Sequence, residues 1–342
     1  MDWKNQRVIV TGGASFIGSH LVDALVNRGA FVRVADDFSS GQKQEIQHHI
    51  DSGNIELLDG DLREPGLAKK AVSDMSVVFH LAADHGGRGY VDTYQAGPAS
   101  NLLLDGVVFW EALNAKVEKV VFASSGCVYP NFLQSNVDEE LYLTEDLVQA
   151  PYDADNMYGW AKLMGELTLQ AYHREHGLKS ASCRYFTAYG PRAKETHAVM
   201  AMTARAFLGR SPFEVWGDGT QVRNWTYVDD IVTGTIMAAE KIDDATAINL
   251  GTVERTTVLE AANLVLEMTG HDAEITLLKD MPTGPLNRVA DNTLASKLLG
   301  WTPEISFREG LRRTIDWYYA HKTKEDTLRI MDSGGTMVRK VT

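Results

Sequence analysis

Arg7-Val-Ile-Val-Thr11-Gly-Gly-Ala-Ser-Phe-Ile-Gly18 runs from five strand-forming residues through a glycine-rich turn into an apolar helical pattern, Ile17 to Arg28. Glycines between a strand and a helix let the backbone turn tightly and approach a phosphate. The unpaired N–H groups and partial positive charge of the helix N-terminus then favour an anion. Asp36 follows the next apolar run, Phe31 to Ala35, about 20 residues past the turn, where a carboxylate accepts both ribose hydroxyls and repels a 2′-phosphate. The pattern therefore predicts NAD rather than NADP, held by Gly12, Ser15, Phe16, Ile17, Gly18 and Asp36. Ser15 stands where the middle glycine of the triplet is usual, so the backbone there has to accommodate a side chain.

The alternation continues downstream. Ile55 to Leu58, Val77 to Leu81, Lys119 to Ser124 and Ala181 to Tyr185 read as strands, with helices over Asn101 to Ala115 and Tyr158 to His176. This rhythm predicts an α/β fold, a Rossmann-type doubly wound parallel sheet with ligands at the carboxyl ends of its strands. Gly60-Asp-Leu62 and His80-Leu-Ala-Ala83 fall at that edge, which makes Asp61 and Leu62 candidates for the adenine and gives Ala82 and Ala83 the small size a cofactor needs beside it. Past Tyr189 the rhythm loosens. Gly190 to Glu195 and Val215 to Arg223 read as turns, and helices over Tyr227 to Lys241 and Thr257 to Thr269 flank a strand over Ala247 to Leu250. We expect a cofactor domain over residues 1–186 with 224–250 returning to it, a smaller α/β substrate lobe over 187–223 and 251–325, and a loose tail over 326–342.

Composition narrows the function. The 342 residues, 44% hydrophobic, suffice for a full core, and a formal net charge of −13 argues against a nucleic-acid partner, which needs clustered Lys and Arg. No charged segment followed by a long apolar one opens the chain, so the expectation is a cytoplasmic protein with no membrane contact. Cys127 and Cys183, the only cysteines, make no disulfide framework and no metal-ligand spacing with the ten scattered histidines, so no metal is expected.

Tyr158-Gly-Trp-Ala-Lys162 sets a phenol and an ammonium at i and i+4 on one helix face. A cation beside the phenol favours the phenolate, so Tyr158 is a candidate to exchange a proton with a carbinol while Lys162 reaches the nicotinamide ribose. Ser125 would orient the same hydroxyl. Such a Tyr and Lys pair is common by chance, and its weight comes from the glycine turn upstream. Two residues after Ser125 stands Cys127, a thiol that hydride transfer alone does not need.

In order, these motifs resemble the extended short-chain dehydrogenase/reductase superfamily acting on nucleotide-diphosphate sugars. The resemblance runs from about Arg7 to about Tyr319 and includes Ser124-Ser-x-x-Val-Tyr129, Tyr189-Gly-Pro191, Gly217-Asp-Gly-x-Gln-x-Arg223 and Tyr227-Val-Asp-Asp230. It implies that Arg223 and Arg288 clamp the substrate diphosphate. Dehydratases and uronic acid decarboxylases of this group carry acidic residues where this chain has Gly126 and Cys127. The cysteine, the Ala82-Ala-Asp-His-Gly-Gly-Arg-Gly89 loop and Tyr129-Pro130 look most like the GDP-mannose 3,5-epimerases. That likeness implies oxidation at C4 by bound NAD, proton exchange at an adjacent carbon by Cys127 and a partner acid, and reduction by the same cofactor. His197 falls at the position of the partner lysine, with Lys194 close by. Thr187 replaces a common Asn, and Gly87 and Arg88 belong to the substrate loop, so the pocket is altered and the base stays open among guanine, uracil, thymine and cytosine. A 4-epimerase with Cys127 only lining the pocket is the alternative, followed by a dehydratase or decarboxylase and a non-catalytic NAD-binding module. The resemblance also implies a homodimer through the Asn101 to Ala115 and Tyr158 to His176 helices.

Overall fold

The structure, a computed structural model, describes residues 2–332. Strands β1 (Arg7–Thr11), β2 (Phe31–Asp36), β3 (Ile55–Asp59), β4 (Val77–His80), β5 (Lys119–Ser125) and β6 (Ser180–Tyr185) join a seventh, Ala247–Leu250, in one sheet. The spatial order is Ala247–Leu250, β6, β5, β4, β1, β2, β3, and every neighbouring pair is parallel. The chain winds outward from β1 in both directions, the Rossmann-type arrangement that the alternation predicts.

Alternation within β1 builds two cores. Val8 and Val10 point to one face, where they pack in a cluster with Leu21, Val22 and Leu25 of the Phe16–Asn27 helix and Ile231 and Ile236 of the Val228–Lys241 helix. Ile9 points to the other face, with Val108 and Phe109 of the Asn101–Asn114 helix and Leu169 of the Asn156–His176 helix. Side chains alternate across a strand with period two, and a parallel sheet buries both faces. Local signals agree with these boundaries: Gly177, at φ +71°, ends the Asn156–His176 helix, while a reciprocal capping box between Thr257 and Glu260 starts Val258–Thr269.

The smaller elements are short. Phe213–Trp216 pairs in parallel with Ile275–Leu278, and Val222–Arg223 lies between Thr256–Thr257 and Asn287–Arg288. The stretch expected as turns over Val215 to Arg223 thus has strand at both ends. Its two-to-four-residue strands are too short to display a period, and their pairing partners lie far along the chain. The loose tail needs a similar correction, because Lys324–Asp332 is helical. Thr323 accepts the Asp326 N–H at its start, and buried Thr327 meets the Tyr318 hydroxyl at 3.2 Å. The rest of the expected tail, residues 333–342, lies outside the described residues. Among the described residues no helix is long and apolar enough to cross a membrane.

The turn after β1 is held by close backbone approach. A Cβ on Gly18 would lie 2.1 Å from the Gly12 carbonyl oxygen, and one on Gly12, at φ +68°, would lie 2.8 Å from Ala82 N. Ser15 is accommodated by folding back, its Oγ donating to Gly12 O at 2.5 Å. We expect Gly18→Ala to destabilise the protein by about 2 kcal/mol in denaturant unfolding and to weaken NAD binding, because the clash is with backbone that cannot rotate away.

Candidate active site

The carboxyl edge of the sheet opens into a cavity of about 900 Å³, closed on the opposite side by residues of the 213–225 and 281–288 segments. Of the residues expected at the cofactor, Ser15, Phe16, Ile17, Ala83, Tyr158 and Lys162 line it. Gly12, Gly18 and Ala82 shape the turn behind its wall. Asp36 ends β2 with Oδ2 accepting the Ala14 N–H and Oδ1 the Phe38 N–H, each at 2.9 Å. Burial pushes its carboxyl up, opposed by those two N–H groups. The remaining two, Asp61 and Leu62, do not line the cavity. Asp61 is engaged by Arg63 through Nε and Nη2, and the Leu62 side chain packs into the interior beside Ala68.

A dinucleotide suits this end of the cavity. The Lys162 ammonium is buried with no hydrogen-bond partner, as a group awaiting ribose hydroxyls would be, and a Cβ on Gly41 would fall 2.8 Å from the Asp36 carboxylate. Lys194 reaches the same end, its Nζ donating to Ser40 Oγ at 2.8 Å.

Ser125, at the end of β5, and Cys127 follow one another into the cavity because Ser125 Oγ accepts the Cys127 N–H at 3.1 Å and caps the short turn 126–128. Close contact with the next helix holds this turn: a Cβ on Gly159 would lie 2.3 Å from the Cys127 carbonyl oxygen. Lys162 Nζ sits 5.8 Å from the Tyr158 ring. Burial pushes the Tyr158 phenol up, Cys127 raises it further, the Ser125 hydroxyl opposes this and Asp105 adds to it.

On the side of the Phe16–Asn27 helix, His197 faces Phe16, ring centroids 6.4 Å apart, and His85 at 5.4 Å. His85 in turn lies 5.4 Å from the Tyr158 ring. Enclosure, then the Lys194 cation, pulls the His197 imidazole down to about 4, and enclosure and His197 pull His85 down as well. His85 lines the cavity. In the sequence His85 stands only within a loop; its contact with Tyr158 has no spacing signal.

On the opposite wall three arginines converge. Parallel pairing sets Arg288 beside Arg223 in adjacent strands. Arg288 donates to Gln134 Oε1 at 2.7 Å, to Cys127 Sγ at 3.2 Å and to Asp155 Oδ2 at 3.0 Å. Arg88 donates to the same Asp155 oxygen at 2.8 Å and to Asp92. Among the described residues Arg223 donates only to the Val222 and Thr283 carbonyls, and enclosure together with the Arg288 and Arg88 cations holds its guanidinium well below the usual range. Of the three, Arg223 is thus the cation without a carboxylate partner. Thr187 and Gly87 also line the cavity, and Gly87 is held against the Thr196 carbonyl oxygen, 2.0 Å from where a Cβ would stand.

Two features have no forerunner in the sequence reading. Asp155, which links Arg88 to Arg288, is one. The other is a meeting of Asp23, His48 and His49, whose potential ligand atoms lie within 4.8 Å of one another although the histidines show no ligand spacing. Asp23 Oδ1 accepts from His49 at 2.8 Å, and Arg192 occupies Oδ2 at 2.8 Å. Each oxygen of Asp23 thus has a protein partner. Asp36→Ala should cost at least about tenfold in NAD affinity while leaving NADP binding unimpaired, as titration calorimetry with each cofactor would show. Asp155→Asn should destabilise the fold by about 3 kcal/mol in chemical unfolding, since the buried Arg288 guanidinium would lose its carboxylate and face Arg88, which keeps Asp92.

Comparisons with known proteins agree with this geometry. The chain is 29% identical over 332 residues to GDP-mannose 3,5-epimerase 1 of Oryza sativa subsp. indica, covering 95% of this chain and 85% of that one. It is 31% identical over 317 residues to a putative UDP-glucose 4-epimerase of Methanocaldococcus jannaschii, covering 91% and 97%. Its structure superposes with a TM-score of 0.82 on a UDP-glucuronic acid 4-epimerase from Bacillus cereus in complex with UDP-glucuronic acid and NAD, at 29% identity and covering 92% and 99%. The NAD dependent epimerase/dehydratase family model matches residues 8–251, and with the glycine turn, Asp36 and the Ser125, Tyr158 and Lys162 set at one cavity, the chain belongs to that family of NAD-dependent nucleotide-sugar enzymes.

Proposed function

We propose that this protein is an NDP-hexose epimerase acting at C3, C5 or both through a transient 4-keto sugar. The observation that carries the reading is the placement of two proton-transfer groups on different walls of the cavity that holds Ser125, Tyr158 and Lys162: Cys127 on the Arg288 side and His197 on the side of the Phe16–Asn27 helix. NAD, when bound, supplies the acceptor and later the donor of hydride at C4. Tyr158 takes the C4 hydroxyl proton and returns it, Ser125 orients that hydroxyl, and Lys162 holds the nicotinamide ribose and favours the phenolate. A hydrogen beside a ketone is acidic enough for Cys127 Sγ to remove. His197, neutral at rest, delivers a proton to the other face after taking one up from solvent. Arg223 supplies the uncompensated positive charge that a diphosphate matches.

The 4-epimerase reading has its own support in the Arg288 contact. An Nη1 that donates to Cys127 Sγ at 3.2 Å occupies part of the sulfur's surface, which suits a thiol that only lines the pocket. Incubation with GDP-, UDP-, dTDP- and CDP-sugars and NAD in deuterated water separates the two. The 3,5-epimerase reading expects deuterium at C3 or C5, lost by at least about a hundredfold in Cys127→Ala; inversion at C4 with no deuterium would replace it.

We also propose a homodimer. Leu102, Leu103 and Trp110 on the Asn101–Asn114 helix and Trp160 and Met164 on the Asn156–His176 helix are exposed apolar side chains on two adjacent helices, a face that a second copy would cover. Light scattering should give a dimer for the native chain and a monomer for Trp110→Glu.

A further inference from the structure

Behind Tyr158 and Lys162, the Asn101–Asn114 helix sends Asp105 into the interior, where it is 3% exposed. Asp105 Oδ1 meets His80 Nε2 at 2.9 Å, and His80 Nδ1 meets Thr11 Oγ1 at 2.7 Å. The Thr11 oxygen already accepts the Leu81 and Ala82 N–H groups, so its own proton goes to Nδ1 and the ring carries its hydrogen on Nε2. Burial lowers the His80 imidazole and keeps it neutral. His80 therefore gives Asp105 a hydrogen bond and no compensating charge.

The other oxygen, Asp105 Oδ2, is buried with no hydrogen-bond partner, and so is Lys162 Nζ. The Phe122 ring and Gly165 lie beside both groups. Lys162 Nζ stands 4.5 Å from its centroid, and His80 stacks on it at 5.9 Å. A Cβ on Gly165, one turn beyond Lys162, would lie 2.6 Å from the ring and 3.4 Å from Asp105 Oδ2. Glu166, the next carboxylate on that helix, is already taken by Arg184 and Ser124. A buried carboxylate with one free oxygen and a buried ammonium with no hydrogen-bond partner are costly apart and compensate one another together.

The geometry points to Asp105 as a positioning residue that keeps the buried Lys162 charged and thereby sets when Tyr158 exchanges its proton. This inference rests on the proposed reaction for its kinetic expression only. The titratable and polar groups around the pair are His80 at the end of β4, His85 in the loop that follows it, Tyr158 on the Asn156–His176 helix, Ser125 at the end of β5 and Cys127 just after it. Burial acts to discharge Lys162, and Asp105 is the group that opposes it. Asp105 also raises the Tyr158 phenol, so its negative charge moves both proton transfers toward higher pH.

Asp105→Asn keeps the acceptor for His80 and removes the charge. Carbon-13 spectra of protein labelled at the lysine side chains, with the Lys162 signal identified from Lys162→Met, should show Lys162 losing its proton at a pH lower by on the order of one unit in Asp105→Asn. Titration at the same pH in both proteins overturns the proposal. In the native protein alone, a neutral Lys162 amine at pH 7 also overturns it, so the test survives a variant that does not fold. With a sugar nucleotide that turns over, both limbs of the kcat profile should move to lower pH in the variant; a profile that only falls in height marks a structural role and overturns the proposal. If no sugar nucleotide is oxidised by the native enzyme, the proposed reaction fails, while the lysine titration still decides the pair.

Discussion

Parallel pairing is the constraint on which this molecule is built. Because all six pairings of the central sheet are parallel, each connection has to return across a face, and the carboxyl ends of β1, β4, β5 and β6 collect on one edge. The residues that follow those strands arrive together from distant parts of the chain. Thr11 leads into the glycine turn, His80 into the loop of His85 and Arg88, Ser125 into Cys127, and Tyr185 into Thr187 and His197. A long helix, Asn156–His176, then lays Tyr158 and Lys162 along the same edge.

On that edge the two ends of the cavity are organised by different physics. At the cofactor end, close backbone approach dominates: Gly12, Gly18 and Ala82 leave no room for side chains, and a helix N-terminus faces inward. At the other end, charge dominates. One oxygen of Asp155 accepts from both Arg88 and Arg288, and Arg288 spends its remaining donors on Gln134 and the Cys127 sulfur. Arg288 is thus tied to the cysteine as well as to the pocket wall, whereas the resemblance to sugar-nucleotide enzymes alone would assign it wholly to phosphates. Arg223, its neighbour in register, keeps its charge uncompensated.

Much of this was legible in the residues. The strand and helix rhythm gives the sheet because each element is long enough to show its period, as in β1, where Val8 and Val10 alternate with Ile9. Tyr158, Lys162, Ser125 and Cys127 were found because their spacing along one helix or one turn is itself the signal. Asp155, His85 and Asp105 carry no such spacing; each matters through a partner on another element, and that pairing exists only after folding. The short strands Val222–Arg223 and Asn287–Arg288 were missed for the same reason, since two residues have no period. The final helix was read as tail because its polar face dominates, while its one buried residue, Thr327, is anchored by the Tyr318 hydroxyl.

The pairing of Arg223 with Arg288 also orders the events of synthesis. All seven strands of the central sheet lie before residue 251, so a growing chain can complete that sheet and the glycine turn before Arg288 has emerged. The wall that carries both arginines needs Thr256–Thr257 on one side and Asn287–Arg288 on the other. Domains fold as units while the chain is being made. The nascent protein thus acquires a place for its cofactor first, and the arginine pair of the opposite wall is completed only once Arg288 has followed Arg223 out.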